Sequence, residues 1–226
     1  MKKLHSAHAV LRAVTFATLT LVGGVSTVQA QEVKGDVAAG KTKAAMCIGC
    51  HGIPGYRASF PEVYQVPMIS GQGAGYIVSS LTAYQKGDRK HPTMRGIAGS
   101  LTDQDKADLA AYYASHGEGV TAAPAAQPTG PVAELLTKGA CAGCHGDSYS
   151  KPADPASIPK LGGQPADYLY VALRAYKIEG NQNVGRANAI MGGQVKQFTD
   201  AELKAIAKYI ASLPSELSIK QNAKFR

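Results

Sequence analysis

The sequence predicts an all-α protein built from two small tandem domains. Three observations carry that prediction. Apolar residues recur at helical spacing wherever the chain is periodic, and strand signals are weak throughout. The chain also repeats itself. Pro67-Met68-Ile69-Ser70-Gly71-Gln72, with Tyr76, Leu81 and Tyr84, returns as Pro159-Lys160-Leu161-Gly162-Gly163-Gln164, with Tyr168, Leu173 and Tyr176, at a constant offset of 92. Between the copies, residues 119–131 are small residues with three prolines, the composition of an extended linker. The domains are therefore expected at 31–118 and 132–226, with 1–30 set apart.

Residues 1–30 have the layout of a secretory signal peptide. Lys2, Lys3 and Arg12 precede an apolar run from Ala13 to Val22, and Val28-Gln29-Ala30 offers small residues for cleavage near Ala30-Gln31. The rival reading is an uncleaved anchor. The run falls short of the roughly 20 residues that a span requires, and Gly23-Gly24 interrupts it. Export to the periplasm is the expectation.

The helices follow in order. Asp36 is placed to cap a helix over Val37–Met46, and Glu134–Ala140 takes that part in the second half. Gly75–Lys86 and Ala166–Lys177 read as amphipathic helices with the repeated Tyr and Leu residues on their apolar sides. The closing helices begin at Thr102 and Thr199, and Thr199 with Glu202 makes a capping box. Leu109, Tyr112 and Tyr113, then Leu203, Ile206, Tyr209 and Ile210, form their helical stripes.

The net charge is +8 over 226 residues. Three of the 24 Lys and Arg lie in 1–30, so the exported chain keeps 21 against 16 Asp and Glu. A surplus of that size steers partners without identifying them. There is no basic run, no Trp and no nucleic-acid motif, which excludes nucleic acid as the partner.

The chemistry sits in Cys47-Ile48-Gly49-Cys50-His51 and Cys141-Ala142-Gly143-Cys144-His145. Cys-x-x-Cys-His is the attachment signature of a c-type haem. Residues three apart share a helix face, so both thiols reach one porphyrin edge and the next His falls under the iron. Rival readings are a zinc site, a redox dithiol and disulfides in an oxidising compartment. Zinc ribbons do not need a His after the second Cys in both arms, and the βαβ context of a dithiol is missing. Two copies use all four cysteines of the chain. The expected cofactors are two covalent haem c groups, with His51 and His145 as proximal ligands. Each half has fewer than 100 residues, marginal for an ordinary core, and a buried porphyrin supplies apolar volume.

The sixth ligands are expected to be Met94 and Met191. Each precedes its closing Leu101-Thr102-Asp103 or Phe198-Thr199-Asp200 by the same interval, in a glycine-containing loop. Met68 is the rival in the first half, but its repeat partner is Lys160. His91 pairs with Asn188, and His116 with Leu213. A single Met is more simply a packing residue; two at matched positions favour ligation, and His/Met is an established haem ligand pair.

With these features the chain resembles the di-haem cytochrome c4 family, two class I cytochrome c domains each wrapped round one covalent haem. The resemblance spans essentially all of 31–226 and rests on both haem motifs, both Pro-to-Gln segments, both late methionines and the two final helices. It implies a periplasmic electron carrier, free or attached to the membrane, that does no bond chemistry of its own. Its redox donor and acceptor would be a terminal oxidase, a bc1-type complex or a dehydrogenase. It further implies that the Pro67 and Pro159 carbonyls accept the proximal His N–H. The longer loop Asn181–Asn188 is a departure within the second half. Two other functions stay open: the haem subunit of a periplasmic flavin or quinoprotein dehydrogenase, and a di-haem peroxidase, which needs an open or displaceable iron site.

Overall fold

The computed structural model describes residues 33–221; the proposed signal peptide lies outside them. It has ten helices and four two-residue strands among the described residues. The first half holds α1 (Val37–Lys43), α2 (Ala45–His51), α3 (Ala74–Lys86), α4 (Pro92–Gly99) and α5 (Asp103–Ser115). The second holds α6 (Pro131–Lys138), α7 (Cys141–His145), α8 (Ala166–Ala175), α9 (Ala189–Lys196) and α10 (Asp200–Ala211). No described helix is long and apolar enough to cross a membrane.

Local chemistry explains the boundaries. Asp36 accepts the Ala39 N–H at 2.7 Å and caps α1. The helical run expected to end at Met46 instead bends at Ala44 and continues as α2 through His51. Cys47 N–H donates to the Ala44 carbonyl there, a tight i−3 bond that absorbs the bend. Both closing helices carry full capping boxes, Thr102 with Asp105 and Thr199 with Glu202.

In the first half, α5 packs on α1 and α3. A Cβ at Gly40 would lie 2.0 Å from the Asp108 carbonyl oxygen, so only glycine lets α1 approach α5 this closely. The buried core is slight: Ala44, Ile77, Leu109, Ala110 and Tyr113. In the second half, α10 packs on α8 and α6 over a larger core that includes Leu136, Phe198, Leu203, Ile206 and Ile210. Gly71 and Gly163 are repeat equivalents with left-handed φ of 89° and 74°. Each donates its N–H to the end of the closing helix, at Tyr113 and Ile210. The duplication therefore extends to backbone geometry.

The segment between α5 and α6 has no helix or strand over 120–129, as its composition predicts. The Tyr209 hydroxyl donates to the Ala126 carbonyl at 3.0 Å and ties it to α10. Residues 33–221 lie in one compact unit, with many bonds between the halves. Strands β1 (Arg57–Ala58) and β2 (Tyr64–Gln65) pair antiparallel within the first half, and β3 (Arg89–Lys90) pairs antiparallel with β4 (Gly185–Arg186). The Asn181–Asn188 insertion supplies β4, and Lys90 donates to the Asn181 carbonyl at 2.5 Å. Asp167 accepts from Arg57 and from the Gln65 N–H, and Arg174 meets Glu62.

Candidate haem centres

Helix α2 carries Cys47, Cys50 and His51, and α7 carries Cys141, Cys144 and His145. No disulfide joins any of the four cysteines. No group of three or more His, Cys, Asp or Glu among the described residues is set to hold a metal ion, so the zinc reading lacks its donor cluster.

The two histidines are held alike. His51 Nδ1 lies 2.8 Å from the Pro67 carbonyl oxygen, and His145 Nδ1 lies 3.1 Å from that of Pro159. A carbonyl only accepts, so each Nδ1 carries the proton and each Nε2 keeps its lone pair. Burial lowers the pKa of both imidazoles, and the proline carbonyls pull the other way. Neutral imidazoles with a free Nε2 suit metal ligation.

Met94 and Met191 do not lie in loops. Each is the third residue of a short helix, α4 or α9. The repeat equivalents His91 and Asn188 cap these helices, and accept the Met94 N–H at 3.3 Å and the Met191 N–H at 2.9 Å. Pro92 at the first position and a side-chain acceptor before it stabilise a helix start that a glycine-containing pattern concealed. Met191 packs against the second core. Met68 is half-buried, and Gln164 takes both its backbone N–H and its carbonyl.

Sequence reasoning missed a cationic cluster between the halves. Arg89 donates to the Tyr168 hydroxyl at 3.0 Å and to Tyr76 at 3.4 Å, and Arg186 donates to Tyr168 at 3.3 Å. Arg89 lies over the Tyr84 ring at 4.6 Å and Arg186 over that of Tyr176 at 5.4 Å, a repeat-related pair of stacks. Burial opposes ionisation of the Tyr168 phenol, but Arg186 and Arg89 outweigh it and bring its pKa down to about 8. Neither arginine has a carboxylate partner among the described residues. Arg89 Nε is buried with no hydrogen-bond partner. Buried guanidinium groups without an anion are costly. A cofactor with carboxylate side arms fits this site, and haem brings two propionates. The signal was available: Arg89 and Arg186 share the offset of 97 that relates Met94 to Met191.

The cytochrome c family profile matches residues 131–214. Cytochrome c4 of Pseudomonas aeruginosa is 35% identical over 187 residues, 79% of this chain and 89% of that protein. The thiosulfate dehydrogenase electron acceptor of Stutzerimonas stutzeri is 32% identical over 77% of this chain and 82% of its own. The crystal structure of reduced recombinant cytochrome c4 from Pseudomonas stutzeri superposes with a TM-score of 0.57 at 28% identity, and covers 79% of this chain and 99% of that one. The chain thus belongs to the cytochrome c4 family, c-type cytochromes with two covalently bound haem c groups.

Proposed function

We propose that this electron-transfer cytochrome is a periplasmic shuttle that takes single electrons from a respiratory donor and delivers them toward a terminal oxidase. The observation that carries the reading is the pair of matched histidines, each with Nδ1–H on a proline carbonyl and Nε2 left free. Cys47 and Cys50 attach the first haem and Cys141 and Cys144 the second. His51 and Met94 would hold the iron of the first haem, and His145 and Met191 that of the second. Residues 31–118 and 132–226 are the two haem-bearing halves, and 119–131 joins them.

Bound haem supplies a one-electron Fe(III)/Fe(II) couple, and a His/Met pair raises its potential. The chain's residues do the rest. Pro67 and Pro159 fix imidazole orientation and tautomer, which keeps ligand rearrangement small. The capped helices α4 and α9 hold each methionine on ordered backbone. Arg89 and Arg186 hold propionate charge between the halves. With a histidine and a methionine both held for each iron, no coordination site would be left for a substrate. Redox titration of the purified holoprotein tests this. Two one-electron steps in the positive range typical of His/Met haem support it, and strongly negative potentials would overturn the ligand assignment.

A second reading is favoured by the Stutzerimonas relative: acceptor subunit of a periplasmic dehydrogenase. Co-purification with a catalytic chain, and reduction by that chain at rates matching its turnover, would favour it over the free shuttle.

A further inference from the structure

Gln72 and Gln164 are almost wholly buried, at 4% and 3% exposure, and are equivalent by the repeat. Each side-chain amide crosses to the other half and binds one residue there twice. Gln164 Oε1 accepts the Met68 N–H at 3.0 Å, and its Nε2 donates to the Met68 carbonyl at 2.7 Å. Gln72 Oε1 accepts the Lys160 N–H at 2.9 Å, and its Nε2 donates to the Lys160 carbonyl at 3.0 Å. Gln72 Oε1 also accepts the Gly73 N–H at 3.0 Å.

What matters is which peptide units these bonds touch. The Met68 N–H belongs to the same planar amide as the Pro67 carbonyl, and the Lys160 N–H to the same amide as the Pro159 carbonyl. Each of those carbonyls holds the Nδ1–H of His51 or His145. One resonant peptide therefore stands between a histidine of one half and a glutamine of the other. An acceptor on the amide N–H shifts electron density onto the amide oxygen, and hydrogen bonds in series strengthen one another. A more basic oxygen binds Nδ1–H more strongly and makes the imidazole a better donor. A stronger imidazole donor favours Fe(III).

We infer that Gln164 tunes the proximal ligand of the first haem and Gln72 that of the second, each from the opposite half. They are positioning residues that act through Pro67 and Pro159. This rests on the reading of His51 and His145 as proximal ligands. A plain interface pin would predict no preference for the far haem.

The test is NMR-monitored redox titration of the holoprotein, with haem and ligand resonances assigned to each half. The first spectrum to take is that of the oxidised wild type. If His51 and His145 ring protons lack iron-shifted resonances, the ligand reading fails, whatever the glutamines do. If they show them, Gln164→Met is expected to raise the potential of the first haem and speed exchange of the His51 Nδ1 proton, with the second haem little changed. Gln72→Met should give the mirror pattern. Gln164→Glu and Gln72→Glu keep an oxygen for the amide N–H, so they should hold the far potential at or below the wild-type value. They also carry the test should the Met variants fail to assemble. In the Met variants a shift at the haem of the mutated half, equal shifts at both, or none overturns the inference, as does a raised far potential in either Glu variant.

Discussion

Met94 and Met191 separate a carrier from an enzyme. Replacing either with Ala should leave one iron five-coordinate, lower its potential and let it bind carbon monoxide when reduced. Difference spectra with and without the gas check this one haem at a time. Met68→Ala should leave both irons six-coordinate and cost about 2 kcal/mol or less, since its side chain is only half-buried. Gas binding by the first haem of Met68→Ala, and none by that of Met94→Ala, would reverse the assignment. At this scale the sequence was highly legible where chemistry is local. The haem motifs and the residues aligned by the repeat are visible as letters, and the Pro67 and Pro159 carbonyls lie within hydrogen-bond distance of the two histidines. Arg89, Arg186 and the glutamines were visible as repeated letters but not as parts of a site. A polar side chain's role depends on what faces it across an interface, and spacing along one chain does not carry that.

Among the elements, the contact of α1 with α5 is the most demanding. Gly40→Ala drives a Cβ into the Asp108 backbone, which cannot yield without separating the helices. Thermal unfolding of the holoprotein should show a loss of about 1–3 kcal/mol. Asp108 fastens the same crossing: it accepts from Lys43 at 2.6 Å and from the Asp36 N–H at 2.8 Å, with its side chain 3% exposed. Lys43, then the Asp36 N–H, hold the Asp108 carboxyl below the usual carboxylate range. Its stabilisation is therefore present above the unfolded pKa near 4 and is lost as pH falls through the folded value. Asp108→Asn should flatten the acid limb of a stability–pH curve and leave the neutral-to-alkaline limb in shape. Helix identity was readable from caps and periodicity. Two details were not: the bend at Ala44, which tertiary packing of a nearly unexposed residue imposes, and the short helices around the methionines, whose caps are a histidine and an asparagine.

For the whole molecule, the repeat marks two related halves but carries no sign of the bonds that join them. Arg57–Asp167, the β3–β4 pair and the Ser70–Ser218 bridge all cross between them. Limited proteolysis between Gly117 and Pro131 should yield two haem-bearing fragments that still co-elute on gel filtration and part only in denaturant. Loss of solubility or of the low-spin haem spectrum in either fragment would contradict the two-domain division. The Asn181–Asn188 insertion, which the repeat marked only as a departure, proves to carry a strand that meets the first half. The proposed function rests on two covalent haems whose irons His51 with Met94 and His145 with Met191 would close. The most direct measurement is the spectrum of the reduced, unmutated holoprotein before and after carbon monoxide at neutral pH. Closed irons predict an essentially unchanged spectrum; ready formation of a carbon monoxide complex at either haem would contradict them and restore the peroxidase reading.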